Sequence, residues 1–549
     1  MSDLIILFGN KDYCPPKSSG FTYAYSIGTG LVRGAQAVAV NDSQRLRTIA
    51  LETRDEYSRW VYSLNDIYLR RNLTYRGLSL FLVSDCSCKR TELFDTYNSI
   101  CNLLLLQEIM SEISPKQIIT VGADRNFFEG LVSISQSVPI KRVNETIIGN
   151  KFFRRIGSDL RYTTEVALVV MISSIFARRQ NLKDKQARRY CFSIYPKMIS
   201  KDGQDKKYGK FVKSNDRHAV SIITDGLHQH VSVLSYFRER AKAKKYNFVL
   251  MDEYLRSKDW IRGLYWIFRL RYVFSTESAG HEFRSINITG WIKEELAQSA
   301  SRQARFMIIL GAYERFFKNI AISEFVYYLH EYPLGRMMSW LLHSQQRKIS
   351  TCGFQHGPAA WRKLLYFMGP DESKTNGDYL THVPIPQKVI AEDRQSALIY
   401  RHAGYRNIQV MEKIYRLSYL EDIEPKREIG TALIAPGLHD GEGMLEIMVD
   451  IIQSEKNIKY FLKPHPLAHN LYVSKYQTLP NLVITTDAIE DLLARVAIVY
   501  VTYSSVGQEA MALGIPVSVV EIPGFVNESP LADLESYDSM LISNNSVDV

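Results

Sequence analysis

Ala497-Ile-Val-Tyr-Val-Thr-Tyr-Ser-Ser-Val-Gly-Gln-Glu-Ala-Met-Ala-Leu-Gly-Ile-Pro-Val-Ser-Val-Val-Glu521 packs a strand, a turn, a helix and a second strand into 25 residues. The apolar run Ala497–Thr502 reads as a strand, and Val506–Leu513 reads as the helix that follows a polar turn. Gly514 is a helix stop, and Ile515-Pro516-Val517 leads directly into the strand Pro516–Glu521. The same alternation is present upstream. Thr431–Ala435 is a strand, Pro436-Gly437 a turn and Gly443–Gln453 a helix, followed by strands at Tyr460–Lys463 and Leu482–Thr485. Strand, turn and helix repeating with short connections predict an open, doubly wound parallel sheet. In such sheets the loops after the strands carry the ligand chemistry.

A second series begins near residue 190. Its predicted strands are Tyr190–Tyr195, Ala219–Thr224, Tyr246–Met251, Glu324–Leu329 and Ile349–Gln355, with helical stretches between them that include Trp260–Phe274. The polar segment 201–217 is expected to be a surface loop. Nearer the N-terminus, Asp3–Phe8, Ser79–Val83 and Gln117–Val121 are short apolar runs separated by helical patterns, notably around 92–112, which predicts a further α/β unit. Two successive Rossmann-like units with a ligand between their strand ends form the GT-B plan. The expected fold is therefore α/β, GT-B, with an additional N-terminal α/β region. The expected divisions are 1–150 for that region, 151–189 for a basic helical segment, 190–400 for the acceptor-side unit and 401–549 for the donor-side unit. No internal repeat or low-complexity tract interrupts this, and the tail from Asn544 is expected to fray.

Composition limits the class. The 549 residues are 46% hydrophobic and 23% charged, ordinary for a globular chain with several cores. No run approaches the roughly 18 apolar residues of a spanning helix. The nearest, Val166–Ala177, is interrupted by Ser173 and Ser174. The start, Met1-Ser-Asp-Leu-Ile-Ile-Leu-Phe8, lacks a basic region and cleavage site and reads as a first strand. Cys14, Cys86, Cys88, Cys101, Cys191 and Cys352 are scattered, which suits reduced thiols in a cytoplasmic protein. The pair Cys86 and Cys88 lacks the second Cys/His cluster that a metal site needs. The net charge of +10 is uneven. Residues 151–189 carry ten Lys/Arg against Asp159, Glu165 and Asp184, around the apolar run Val166–Ile172. Such a segment fits the surface of an anionic membrane, or else is a buried helix with solvated basic ends. No nucleic-acid-binding motif accompanies the basic patch.

Several strand-end loops carry candidate chemistry. Lys463-Pro464-His465-Pro466 follows a predicted strand, and its prolines restrict the backbone around a lysine and an imidazole that can both address phosphate. Thr502-Tyr503-Ser504-Ser505-Val506-Gly507-Gln508-Glu509 opens a helix. Ser504 and Ser505 there offer hydroxyls and free backbone N–H groups to an anion, and Glu509, one turn in, can accept from ribose hydroxyls. The alternative is a simple helix cap. Gly437, in Ala435-Pro436-Gly437-Leu438-His439-Asp440, lies where a glycine turn can approach a diphosphate, or where any βα turn sits. In the middle unit, Glu331 and His356 end two strands and are plausible acid/base groups. Asp252-Glu253 ends a third strand, with a helix cap or salt bridge as the competing role.

The pairing of Lys463-Pro-His-Pro466 with Tyr503-Ser-Ser-Val-Gly-Gln-Glu-Ala-Met-Ala-Leu-Gly-Ile-Pro-Val517 resembles the C-terminal domain of bacterial surface-polysaccharide glycosyltransferases. An HP motif with a Ser-Ser/Thr motif 39 residues later, from 465 to 504, is also similar to bacterial sialyltransferases and capsule Kdo transferases. Tyr327–Gly357, with Glu331 and Gln355-His356-Gly357, looks like the middle section of a family related to retaining Kdo transferases. The resemblance covers roughly residues 190–525. It implies that Lys463, His465, Ser504 and Ser505 contact the phosphate of CMP, that Glu509 holds the ribose, and that Gln508 and Gly437 border the nucleotide. It also implies an N-domain carboxylate, Glu331 or Asp252, as nucleophile or base. The acidic-acidic-Gly motif of sialyltransferases is replaced here by Asp252-Glu253-Tyr254.

The expected activity is transfer of Kdo or another nonulosonic acid from a CMP-activated donor to a surface-glycan or lipid-linked glycan acceptor. No cofactor or metal is expected beyond the CMP-sugar, and nucleic acid is not an expected partner. The expected location is cytoplasmic, with peripheral contact to the inner membrane. Two other readings stay open: a CDP-glycerol-type glycerophosphotransferase, and a non-catalytic nucleotide-binding protein of glycan assembly.

Overall fold

The computed structural model describes residues 2–533, apart from 16–20, 34–36, 136, 145–150, 177–188, 196–197, 201–202, 215–219, 225–232, 247, 278, 320–321, 345–348, 374–376 and 466–469. The architecture is α/β, with three larger sheets whose strands all pair in parallel. In the C-terminal sheet Thr431–Ala435 is central. Lys459–Leu462 and then Leu482–Ile484 lie on one side of it, and Ile498–Val501 and then Val517–Val519 on the other. Counted along the chain this is the order 3-2-1-4-5, that of a doubly wound half. All five residues of Thr431–Ala435 are buried, as a strand covered on both faces requires.

The other two sheets repeat the plan. Asp3–Gly9 pairs with Thr22–Gly28 and with Gln117–Val121, and Ala37–Ala39 and Ile140–Val143 form the edges. In the middle sheet Arg189–Ser193 lies between Val220–Thr224 and Glu324–Tyr327. Ser350–Phe354, Lys388–Ala391 and Ile408–Val410 extend one side, and Val249–Leu250 ends the other. The middle sheet therefore runs past residue 400.

One predicted strand is absent. Only Leu78–Ser79 of that region is extended, paired with Thr74–Tyr75, and Leu80–Val83 is a 3-10 turn with all four side chains buried. A short, wholly apolar run has no period to separate strand from buried turn. Residues 151–176 are helical as expected, and the rest of the basic segment, 177–188, lies outside the described residues.

The first two sheets are not independent. One continuous core runs from Leu4 through the helices Thr96–Ile113 and Thr289–Lys318 to Tyr415. The C-terminal sheet instead has its own two clusters, one on each face. Its last segment returns to the N-terminal unit. Gly28 N donates to Pro523 O at 2.8 Å, and Asn102 Nδ2 donates to Gly524 O at 2.7 Å. Gly524 adopts φ +74°, and a Cβ there would come within 2.7 Å of Ile27 Cα, so this crossing requires glycine. All three sheets thus share in the positioning of one interdomain region.

Candidate active site

In each doubly wound half, the switch point lies between the first and fourth strands, where the flanking loops diverge. In the C-terminal sheet those are the loops after Thr431–Ala435 and Ile498–Val501, with Lys463–His465 one strand further over. The strands leading to His465 and Ser504 are separated only by Thr431–Ala435, about 10 Å at the usual strand spacing. The loops are also tied together. Gly437 N donates to Thr502 Oγ1 at 3.3 Å, and His439 N donates to Tyr503 Oη at 3.3 Å. The Tyr503 ring lies over Gly437, where a Cβ would meet Cζ at 2.6 Å. The glycine makes room for that ring.

The residues of the two C-terminal motifs have distinct surroundings. Lys463 Nζ donates to the carbonyls of Thr486, at 3.1 Å, and Asp487, which directs it to the neighbouring loop. Ser504 Oγ accepts from Val506 N at 3.4 Å, and Ser505 Oγ donates to Glu509 Oε1 at 3.5 Å. The helix they open, Val506–Ala512, has seven residues, so its dipole is small and charged side chains must supply most of the local field. Gln508 Oε1 accepts from Arg416. Tyr419 donates its phenol to Glu509. His465 is held below its ordinary pKa by burial and by the proximity of His439 and Lys207.

Lys207 belongs to the loop after Arg189–Ser193, the first strand of the middle sheet, in the segment expected as plain surface. Asp205 builds that loop. It accepts from Lys207 N at 2.8 Å, from Tyr328 Oη at 3.0 Å and from Ser193 Oγ. Lys207 Nζ reaches His356 O at 3.4 Å. Burial and the nearby Arg416 guanidinium push the Lys207 pKa down. Arg416 itself forks onto Glu392 at 2.6 and 3.0 Å. His356 is kept well below its usual pKa by burial and then by Lys207, Lys363, His330 and Arg416. Gln355 braces the turn, donating to Gly357 O at 2.9 Å and Ser396 Oγ at 3.0 Å and accepting from Glu392 N at 2.8 Å. His356, Lys207, Arg416 and His465 therefore gather positive and potentially positive groups from both sheets into one region.

Glu331 sits at the middle sheet's switch point, beneath this region and only 1% exposed. Tyr400 donates to its Oε1, His330 Nε2 lies 3.3 Å from that oxygen, and Oε2 has no hydrogen-bond partner among the described residues. The approach is strained: buried Leu329 has φ +58°. The surroundings are also tight. A Cβ at Gly353 would meet the His330 ring at 2.6 Å, and one at Gly335 would meet Leu329 O at 2.3 Å. Asp252 is not brought here. It follows Val249–Leu250 at the sheet edge, three strands or about 14 Å from the strand that leads to Glu331.

A cavity of about 660 Å³ opens between the N-terminal and C-terminal units, within the range of small-molecule sites. Asn10 and Thr29, from strand ends of the first sheet, line it and bind the Glu446 carboxylate. His439, Tyr503 and Lys363 line it too, and Lys363 is also a charge felt by His356. Glu528 faces the same cavity, with Thr91 and Lys363 among the lining residues, and burial raises its pKa to about 7. Sequence reasoning did not single out Lys207, Arg416 or Glu528. For Lys207 a signal existed: it follows the first strand of a doubly wound half. Glu528 carries no local motif. Among the described residues no three His, Cys, Asp or Glu side chains gather as a metal-holding group.

Neither a protein-family model nor a curated protein sequence matches the chain. Solved structures show a distant likeness to enzymes of GT-B fold. A UDP-GlcNAc 2-epimerase from Neisseria meningitidis, bound to UDP-GlcNAc, is 9% identical over 61% of this chain and 82% of its own, with a TM-score of 0.36. The wall teichoic acid polymerase TagF is 14% identical over 70% and 84%, at 0.30. The spinosyn rhamnosyltransferase SpnG is 10% identical over 62% and 81%, at 0.31. Likeness at this distance says nothing about activity, and the α/β, GT-B-like assignment rests on the parallel sheets and their strand order.

Proposed function

We propose that this chain is a glycosyltransferase that moves Kdo or a related nonulosonic acid from CMP to a glycan acceptor. The observation that carries this reading is the gathering of basic side chains at two sets of strand ends: Lys207, whose Nζ meets His356 O at 3.4 Å and whose charge bears on both His356 and His465, and Arg416, which forks onto Glu392 beside it. Burial and the neighbouring cations disfavour the charged forms of Lys207, His356 and His465, and a bound anion favours those forms. The phosphodiester of a CMP-sugar supplies the charge, and the further charge that develops as CMP leaves and the bond from the anomeric carbon to phosphate oxygen breaks is stabilised by the same residues. Glu509, with Tyr419 behind it, is suited to ribose hydroxyls. Lys463, Ser504 and Ser505 shape the loops around the phosphate, and Gly437 and Gln508 hold the Tyr503 and Arg416 contacts that border it.

The acceptor is assigned to the cavity beside Lys363. There Glu528 is the group suited to take the acceptor hydroxyl proton as the new bond to the anomeric carbon forms and the bond to the CMP oxygen breaks. Glu331, enclosed with His330 and Tyr400, is assigned as the buried carboxyl group that positions the His330 ring at the switch point. Asp252 has no part in this arrangement.

The test is a thermal-shift panel of CMP, CDP, UDP, GDP and ADP on the full chain. Any ligand that binds only the folded state raises the melting temperature. Stabilisation by CMP that is lost in Lys207→Ala and His465→Ala supports the reading. Glycerophosphate transfer from CDP-glycerol also releases CMP, so a transfer assay separates the two: turnover of CDP-glycerol and not of a CMP-sugar assigns the chain to glycerophosphate transfer instead. A response to UDP alone, or to no nucleotide, rejects the proposal.

A further inference from the structure

Three helices of the middle unit lie side by side: Lys151–Phe176, Val233–Tyr246 and Ser257–Ser275. Trp260 Nε1 donates to Thr163 O at 3.1 Å, Arg271 pairs with Asp159, and the Phe176 and Phe237 rings meet edge-on at 6.1 Å. Each helix buries one face and leaves an apolar row on the opposite one. In Ser257–Ser275 that row is Ile261, Tyr265, Phe268 and Tyr272, at the i, i+4, i+7, i+11 spacing of one helical face, with Phe268 69% and Tyr272 71% exposed. In Lys151–Phe176 it is Leu160, Leu168, Met171 and Ile175, with Ile175 75% exposed. Leu234 and Phe237 continue it on the third helix. Isolated exposed apolar residues are ordinary, but three adjacent rows are not.

The charge on these helices decides between occupants. Together they carry thirteen Lys/Arg against four Asp/Glu, a net of +9 in a chain whose whole net charge is +10. Of the four acids, Asp159 lies under Arg271 and Arg305, Asp259 lies under Arg315, and Glu239 is buried. Arg238, Lys244, Lys245 and Lys258 are exposed. We infer that this face is a docking surface for an anionic lipid bilayer, with the aliphatic and aromatic rows entering the headgroup layer and the basic residues meeting lipid phosphates. A second copy of the chain would oppose +9 with +9. Nucleic acid could stack on Tyr265, Phe268 and Tyr272 but would leave the aliphatic row of Leu160, Leu168, Met171 and Ile175 against water, whereas a bilayer takes up both rows. No described helix is long and apolar enough to cross a membrane, so the arrangement is one that lies on the surface. The inference does not depend on which nucleotide the cleft binds.

The experiment is co-sedimentation of the full chain with vesicles of phosphatidylglycerol and phosphatidylethanolamine, against vesicles of phosphatidylcholine alone. Binding is expected only to the anionic vesicles and is expected to weaken at high salt. Phe268→Glu with Tyr272→Glu should reduce the partition coefficient at least tenfold, and each of Arg238→Gln and Lys244→Gln should reduce it about fivefold. Leu398→Glu, at an exposed apolar site elsewhere, should bind as the parent chain does, and unchanged circular dichroism and melting confirm folding. Failure to sediment with anionic vesicles overturns the inference. So does unaltered binding by the Phe268/Tyr272 variant, or a variant whose only change is loss of a dimer or of oligonucleotide binding.

Discussion

Replacing Lys207 by methionine separates a phosphate site from a merely structural lysine, because the two roles predict opposite signs. Methionine keeps much of the apolar stem and removes the charge. In the free protein, Lys207 is partly buried against Arg416, with its pKa pushed down by burial and by that guanidinium. Removing it relieves repulsion on His465 and His356, so the melting temperature of Lys207→Met should be equal to or above that of the parent. Nucleotide binding should move the other way. A hydrogen bond between charged partners contributes about 2 kcal/mol, equivalent to roughly a 30-fold rise in Kd for CMP. Titration calorimetry gives Kd, and differential scanning gives the melting temperature in the same buffer. The reasoning is refuted if Lys207→Met melts several degrees lower and binds CMP as well as the parent does. That result would make the lysine a support of its loop rather than a ligand for an anion.

The histidines predict a pH dependence. Both His465 and His356 are held below the ordinary imidazole value, so the unfolded chain takes up protons that the folded chain refuses, and the stability of the free protein falls as pH drops through about 6.5. A bound phosphate favours the imidazolium, so CMP binding near pH 6.5 should be accompanied by proton uptake, read from calorimetry in buffers of different ionisation enthalpy. Binding with no net proton exchange would exclude both imidazoles from the site. Glu528, raised to about 7, has the opposite linkage: its contribution to stability is greatest at acid pH and declines as pH rises from about 4.5 through 7. As a general base it should give kcat/KM an ascending limb near pH 7, and Glu528→Gln should remove that limb and cost about 10²–10⁴ in rate, with a melting temperature at neutral pH equal to or above the parent's. Gly353→Ala should destabilise by about 1–3 kcal/mol in urea unfolding, because the added methyl meets the His330 ring. A neutral result there would show that the buried His330–Glu331 pair can shift freely.

The legibility of the fold followed the length and spacing of its elements. In the C-terminal unit every predicted strand and helix appears within one or two residues, because the apolar runs there are short, Gly or Pro marks several of their ends, and two of them lead directly into helices of the right period. Strands such as Thr22–Gly28, Lys388–Ala391 and Ile408–Val410 were not anticipated. The last two have only four and three residues, too few for alternation to register. The candidate site was partly legible for the same reason. His465, Ser504 and Glu509 stand in motifs at strand ends, whereas Arg416, in the 3-10 helix Tyr415–Asp422, and Glu528 have no local signature, and Lys207 is marked only by following the first strand of its sheet.

Read alone, the residue order set the α/β class, the doubly wound C-terminal sheet and the strand-end loops where ligand chemistry belongs, since all of these follow from local periodicity and turn residues. It also showed the concentration of positive charge in residues 151–189. The tertiary structure decided the rest. It merged residues 1–150 into the core of the middle unit, turned Leu80–Val83 into a buried turn, directed Lys463 to backbone carbonyls and placed Asp252 at a sheet edge. It also brought Lys207 and Arg416 to the same cleft as His465 from more than forty residues away. The physical reason is that periodicity records which face of an element is buried, but not against what. Charge, desolvation and proximity act through space, and only the packed chain determines which distant groups share it.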